Sequence, residues 1–118
     1  LEISGAEIAE LAAKSAYDRK ALDIIILDLK GISSITDYFV ICTGNSDTHV
    51  QGIAEKIKES LDEKDVKLWN SEGERKATWI LLDYIDVIVH IFTKEAREFY
   101  SLERLWGDAP KTTYDGED

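Results

Sequence analysis

The stretch Trp79-Ile-Leu-Leu-Asp-Tyr-Ile-Asp-Val-Ile-Val-His-Ile-Phe92 reads as parts of two consecutive β-strands, 77–83 and 86–92. The gap between them is too short for anything but a hairpin. Alternation puts Ala77, Trp79, Leu81 and Asp83 on one face of the first strand, with Thr78, Ile80, Leu82 and Tyr84 on the other. A two-residue turn at Tyr84-Ile85 would demand positive φ at both positions, which a β-branched residue resists. A four-residue type I turn over Asp83–Asp86 is therefore expected. Nothing in this block has the spacing of a metal site, a nucleophile–base pair or a phosphate cradle. An aromatic, a carboxylate and a histidine among apolar neighbours suit a sheet that presents a recognition surface.

Upstream, Ser4-Gly-Ala-Glu7 has the capping-box form, and Ile8, Leu11, Ala12 and Ser15 follow at helical spacing, so 5–20 is expected to be an amphipathic helix. Leu22–Leu29 is rich in β-branched residues and reads as a strand buried on both faces. Gly31–Thr36 is a polar connection, and Asp37–Thr43 a second strand. Gly44-Asn-Ser46 breaks that strand, with Ser46 as N-cap of a helix whose stripe is Val50, Ile53, Ala54, Ile57 and Leu61. Val66–Trp69 is a short third strand, and Ser71–Glu74 a turn in which Gly73 can take positive φ.

Downstream, Thr93 caps a helix over about 94–106, terminated by Gly107 and Pro110. Its apolar set Phe99, Leu102, Leu105 and Trp106 is expected to face the core. The order α-β-β-α-β-β-β-α describes an α/β domain over residues 1–110: a mixed five-stranded sheet with flanking helices. Residues 111–118 read as a disordered acidic tail.

Composition narrows the function. The chain has 118 residues and a net charge of −10, with four carboxylates against Lys111 in 108–118. Such a field repels phosphate backbones, which disfavours nucleic acid as the main partner, and it speeds encounter with a basic protein. A single cysteine, Cys42, precludes an intrachain disulfide and fits a reducing compartment. No apolar run approaches the ~20 residues of a membrane span, and the N-terminus lacks a secretory pattern. Cytoplasm is the expected location, or an organelle matrix after removal of a transit segment.

Asp83 and Asp86 invite a metal or nucleotidyl-transfer reading, with a phosphate held at the Gly44–Ser46 loop. Carboxylates at i and i+3 of a strand point apart, however, and a serine-capped strand-to-helix turn needs no ligand. His49, His90 and Cys42 lack zinc-site spacing. His90, alternating with Ile88 and Phe92, reads as a sheet-face histidine. No cofactor is implied.

The blocks Ser34-Ile-Thr-Asp-Tyr-Phe-Val-Ile-Cys-Thr-Gly44, Glu72-Gly-Glu74, Trp79–Tyr84, Asp86–Phe92 and Arg97–Gly107 occur in the order seen in a known family. Over nearly its whole length the chain resembles the Iojap-type ribosomal silencing factors. The resemblance implies a nucleotidyltransferase-like fold lacking that superfamily's catalytic carboxylates, and a non-enzymatic role. Members of the family bind a basic protein of the large ribosomal subunit, the one numbered fourteen, at the intersubunit face. They thereby obstruct docking of the small subunit and repress translation; large-subunit maturation is also associated with them. Carried over by position, the protein-binding residues would be Trp79, Asp83 and Tyr84, with Glu72 and Glu74 beside them. The family commonly has glycine where this chain has Ile85. Two alternatives stay open: an enzyme of nucleotidyltransferase type using the Gly44–Ser46 loop, and a large-subunit assembly factor. Homodimerisation of the free protein through an exposed sheet face is compatible with the first reading.

Overall fold

Short-range signals place the two longest helices. In the computed structural model, which describes residues 3–116, α1 spans Gly5–Asp18. Its capping box is closed: the Ser4 hydroxyl accepts the Glu7 N–H at 3.1 Å, and the Glu7 carboxylate accepts the Ser4 N–H at 2.8 Å. The helix α2, Asp47–Asp62, starts at Ser46, whose hydroxyl accepts the His49 N–H. Its stripe Val50, Ile53, Ala54, Ile57 and Leu61 is fully buried, as the 3.6-residue period requires.

The strands are β1 (Leu22–Asp28), β2 (Tyr38–Gly44), β3 (Asn70–Glu72), β4 (Trp79–Asp83), β5 (Val87–Thr93) and β6 (Lys111–Tyr114). They form one sheet in the order β3-β4-β5-β2-β1-β6, in which only β2–β5 is parallel. The sheet thus has six strands, where five were expected. The sixth comes from the segment read as a disordered tail: Lys111–Tyr114 pairs antiparallel with Ile24–Leu27. Glu117 and Asp118, the last two residues of that segment, lie outside the described residues.

Each face of the sheet carries its own apolar cluster. α1 and α2 cover one face, packing Ile8, Ala12, Ile53 and Ile57 onto Val40, Cys42, Ile80, Leu82, Val89 and Ile91. The opposite face holds Ile25, Leu27, Phe39, Ile41, Ile88 and Phe92 under α3 (Lys94–Tyr100), the single turn α4 (Leu102–Leu105) and Ala109. Because both faces of its middle are covered, β2 is buried along its whole length.

Three further expectations are corrected. The third strand lies at Asn70–Glu72, and residues 66–69 only lead into it. The helix expected over 94–106 breaks at Ser101, which sits in the left-handed region at φ 48°. Phe99 and Leu105 consequently face solvent, 79% and 74% exposed, while Leu102 and Trp106 pack on the sheet. The hairpin is not a type I turn over Asp83–Asp86. Ile85 adopts φ 76° in a three-residue turn closed by the Asp86 N–H on the Tyr84 carbonyl at 2.9 Å. Gly73 does take positive φ, and a Cβ there would collide with the Trp79 carbonyl.

Candidate functional site

Residues paired across an antiparallel ladder share a face, so register decides which side chains meet. Glu72 pairs with Leu81, Asn70 with Asp83, Leu81 with His90, and Trp79 with Phe92. Asn70, Glu72, Trp79, Leu81 and Asp83 therefore project together, at the β3–β4 end of the sheet face that α1 and α2 leave free. Asn70 and Glu72 are exposed, and Trp79, Leu81 and Asp83 are partly buried.

Trp79 is held on several sides. Its indole N–H donates to His90 Nδ1 at 3.1 Å, and its ring lies 5.0 Å from Phe92 and 4.5 Å from Tyr100 of α3. Phe99, next along the helix, meets the Tyr100 ring edge-on at 5.0 Å. Offset and edge-on contacts of this kind fix ring orientation beyond what burial alone achieves. His90 is only 4% exposed, and burial pushes its pKa down to about 3, so the ring is neutral. Since Nδ1 accepts, Nε2 carries the proton.

Asp83 faces the same side, and its Oδ1 accepts the Ile85 N–H at 2.8 Å, holding the tight turn. Glu72 accepts from the Asn70 amide at 3.0 Å and otherwise faces water. Of the five residues named from sequence, the structure brings together Trp79, Asp83 and Glu72. It does not bring Tyr84 or Glu74 to them. Tyr84 is 6% exposed and packs in the cluster beneath α2; burial, with the charge of Asp62, pushes its pKa up to about 12. Glu74 is turned toward α2, where its carboxylate accepts from Lys58 Nζ at 2.6 Å and Ser71 Oγ at 3.0 Å. The Lys58 bond is the main reason its carboxyl sits below the usual range.

Alternation along the strand already puts Leu81 on this face with Trp79 and Asp83, and the register bears that out. Sequence reasoning missed Asn70, Phe99 and Tyr100 as members of it. These depend on the β3 register and on the break at Ser101, neither of which leaves a local signal.

The Gly44–Ser46 loop is occupied by its own chain. The Asn45 N–H donates to His49 Nδ1 at 2.8 Å, the Thr48 N–H to Asp47 at 2.7 Å, and the His49 N–H to Ser46. These are among the donors an anion at the helix start would use. His49 Nε2 in turn reaches the Arg19 carbonyl at 2.7 Å, tying the end of α1 to the start of α2. Beside the loop, Arg97 is spent on the Asp23 carbonyl (2.6 Å), Thr43 Oγ1 (2.8 Å) and Glu103 (2.8 and 3.2 Å). Burial works to raise the Glu103 pKa, but Arg97 holds it below the ordinary value. Cys42, fully buried, has its pKa pushed up to about 12, and its thiol is inert. Among the described residues no group of three or more His, Cys, Asp or Glu could hold a metal ion, and no helix is long and apolar enough to cross a membrane.

Fold and site together define a small mixed α/β domain with a helix-covered back and an aromatic, acidic front. The family model for "Ribosomal silencing factor during starvation" matches residues 3–118, and the chain belongs to that family. It is 48% identical over 108 residues to the ribosomal silencing factor of Bacillus subtilis, covering 92% of each chain. It is 36% identical over 97 residues to the chloroplastic protein Iojap of Zea mays, spanning 82% of this chain and 42% of that one. Over 89 residues it is 30% identical to mouse "Mitochondrial assembly of ribosomal large subunit protein 1", spanning 73% of this chain and 39% of that one. A crystal structure of a Chromobacterium violaceum protein superposes with a TM-score of 0.87 at 32% identity, covering 97% of this chain and 95% of the other.

Proposed function

We propose that this protein docks on the large ribosomal subunit through the Trp79 face, against the basic protein numbered fourteen, and there blocks the small subunit from joining. Family membership supports a ribosomal role, and the name of the mouse relative points to the large subunit. The observation that carries the choice of surface is the position of Trp79. Its indole is anchored from beneath on a face that α1 and α2 leave uncovered, which it shares with Leu81 and Glu72 and, further along β4, Asp83. Interface anchors are typically aromatic side chains at the centre of a patch, ringed by polar groups. The acidic rim and the net charge of −10 suit a basic partner. Inhibition needs no turnover, only occupancy of the path along which the subunits approach. Glu74 and Tyr84 support this face from behind without touching the partner.

The mouse relative favours a second use of the same docking, in large-subunit maturation. Both uses begin with the same contact. The test is cosedimentation of wild type and Trp79→Ala with salt-washed large subunits, alongside light-scattering assays of subunit joining. Trp79→Ala is expected to weaken binding by ~2 kcal/mol, roughly thirtyfold, and to relieve the block on joining, with its circular dichroism unchanged. Undiminished binding by a folded Trp79→Ala protein excludes the proposed face.

A further inference from the structure

We infer that His90 is a positioning residue of the partner-binding face: by accepting the Trp79 indole N–H it fixes the anchor ring in its docking orientation. This rests on the functional reading above. His90 comes from the middle of β5, opposite Leu81, on the same sheet face as Trp79. Its ring lies parallel to Phe92 (centroids 6.2 Å, 12°), meets Phe39 at 4.5 Å and 76°, and stands 5.9 Å from Trp79. The 3.1 Å bond from Trp79 is the one hydrogen bond its ring makes, and Nε2 is buried with no partner among the described residues.

An imidazole is a poor choice for merely filling this space. A phenyl ring would pack among Phe39, Phe92 and Trp79 without stranding a buried N–H. What a phenyl ring cannot do is accept a hydrogen bond from the indole. With that bond made, the indole's only polar group is satisfied inside the protein, so the rest of the ring offers carbon surface alone. A partner closing over it need not strip water from the N–H, and the ring's rotamer is already selected before contact. Without the acceptor, the partly buried indole gains by turning its N–H toward water, away from the orientation set by Phe92 and Tyr100.

The test compares wild type, His90→Phe and His90→Gln as full chains. In His90→Phe the melting temperature is expected to stay level or rise, since an unsatisfied N–H is removed. The Trp79 indole N–H signal, followed by nitrogen-15 NMR, is expected to lose its protection from solvent exchange. Affinity for salt-washed large subunits is expected to fall five- to tenfold. On a Trp79→Ala background the same substitution is expected to cause no further loss, and His90→Gln, which keeps an acceptor, to recover part of the affinity. A purely structural histidine would instead lower stability and affinity together, and equally on both backgrounds. That result, or unchanged indole exchange in His90→Phe, overturns the inference; so does loss of folding in both His90 variants. If the wild-type chain itself fails to bind subunits, the functional reading falls, while the indole measurement still judges the His90 contact.

Discussion

Ile85 occupies the least comfortable backbone position in the hairpin. At φ 76° its Cβ crowds the backbone, yet its side chain is 57% exposed and contributes little to the core. Neighbours hold it there: Asp83 Oδ1 accepts its N–H at 2.8 Å, Thr36 Oγ1 donates to its carbonyl at 2.9 Å, and the Tyr84 N–H reaches the Val87 carbonyl at 2.8 Å. Local strain of this type costs of order 1–3 kcal/mol, and glycine avoids it at a smaller entropic cost. Ile85→Gly is therefore expected to raise stability by about 1 kcal/mol, read as a higher urea midpoint with an unchanged slope. A lower midpoint would mean that the isoleucine makes contacts worth more than the strain. The sequence showed that a short turn at Tyr84-Ile85 demands positive φ. It pointed to the wrong escape because the Asp83 and Thr36 bonds that over-determine the turn come from side chains, one of them 49 residues away. Trp79 and Asp83 were legible for the opposite reason: alternation along a single strand suffices to put them on one face.

Elements with strong local signals were readable, and those made by distant pairing were not. The closed Ser4–Glu7 capping box and the five-residue stripe of α2 are each written in a single continuous segment of sequence. By contrast β3, Asn70-Ser-Glu72, has poor strand formers and exists because β4 supplies its partners. The break in the expected 94–106 helix goes together with the pairing of Arg97 and Glu103. They bond at 2.8 Å although six residues apart, a separation at which a continuous helix would turn them away from each other. The turn at Ser101 is what lets Glu103 reach Arg97, and it leaves Phe99 exposed beside Tyr100. The strand β6 was hidden by its acidic setting, though Thr112, Thr113 and Tyr114 are good strand formers. It covers the β1 edge, and Tyr114 packs edge-on against Tyr17 of α1 at 5.9 Å. Deleting 111–118 is expected to lower the melting temperature and to speed amide exchange in Ile24–Leu27. It is also expected to promote self-association through the bared edge, visible in sedimentation at rising concentration. If exchange in β1 is unaltered by the deletion, β6 contributes nothing to holding that edge.

At the scale of the whole molecule both sheet faces are packed, and the response to acid follows from a group buried on the face opposite α1 and α2. His90 is neutral in the folded protein with a pKa near 3, against an ordinary value of about 6.5 in the unfolded chain. Between those values the unfolded state binds a proton that the native state refuses. The contribution of His90 to stability is therefore complete above pH 6.5 and is lost progressively as the pH falls toward 3. The limiting slope is about 1.4 kcal/mol per pH unit, which makes the loss about 2 kcal/mol between pH 7 and 5. Glu74 and Glu103, both held below the ordinary carboxylate value, add a loss of the same sign, but only as the pH drops below about 4.5. Acid also relieves the repulsion of a chain with net charge −10, which works the other way. That relief acts equally on a variant without the imidazole. Urea denaturation of wild type and His90→Phe at pH 7 and pH 5 therefore isolates the histidine. The wild-type midpoint is expected to fall between the two conditions and the variant's to stay flat or rise. Equal losses in both proteins would show that the proton is taken up elsewhere, and that the ring beneath Trp79 is reachable by water.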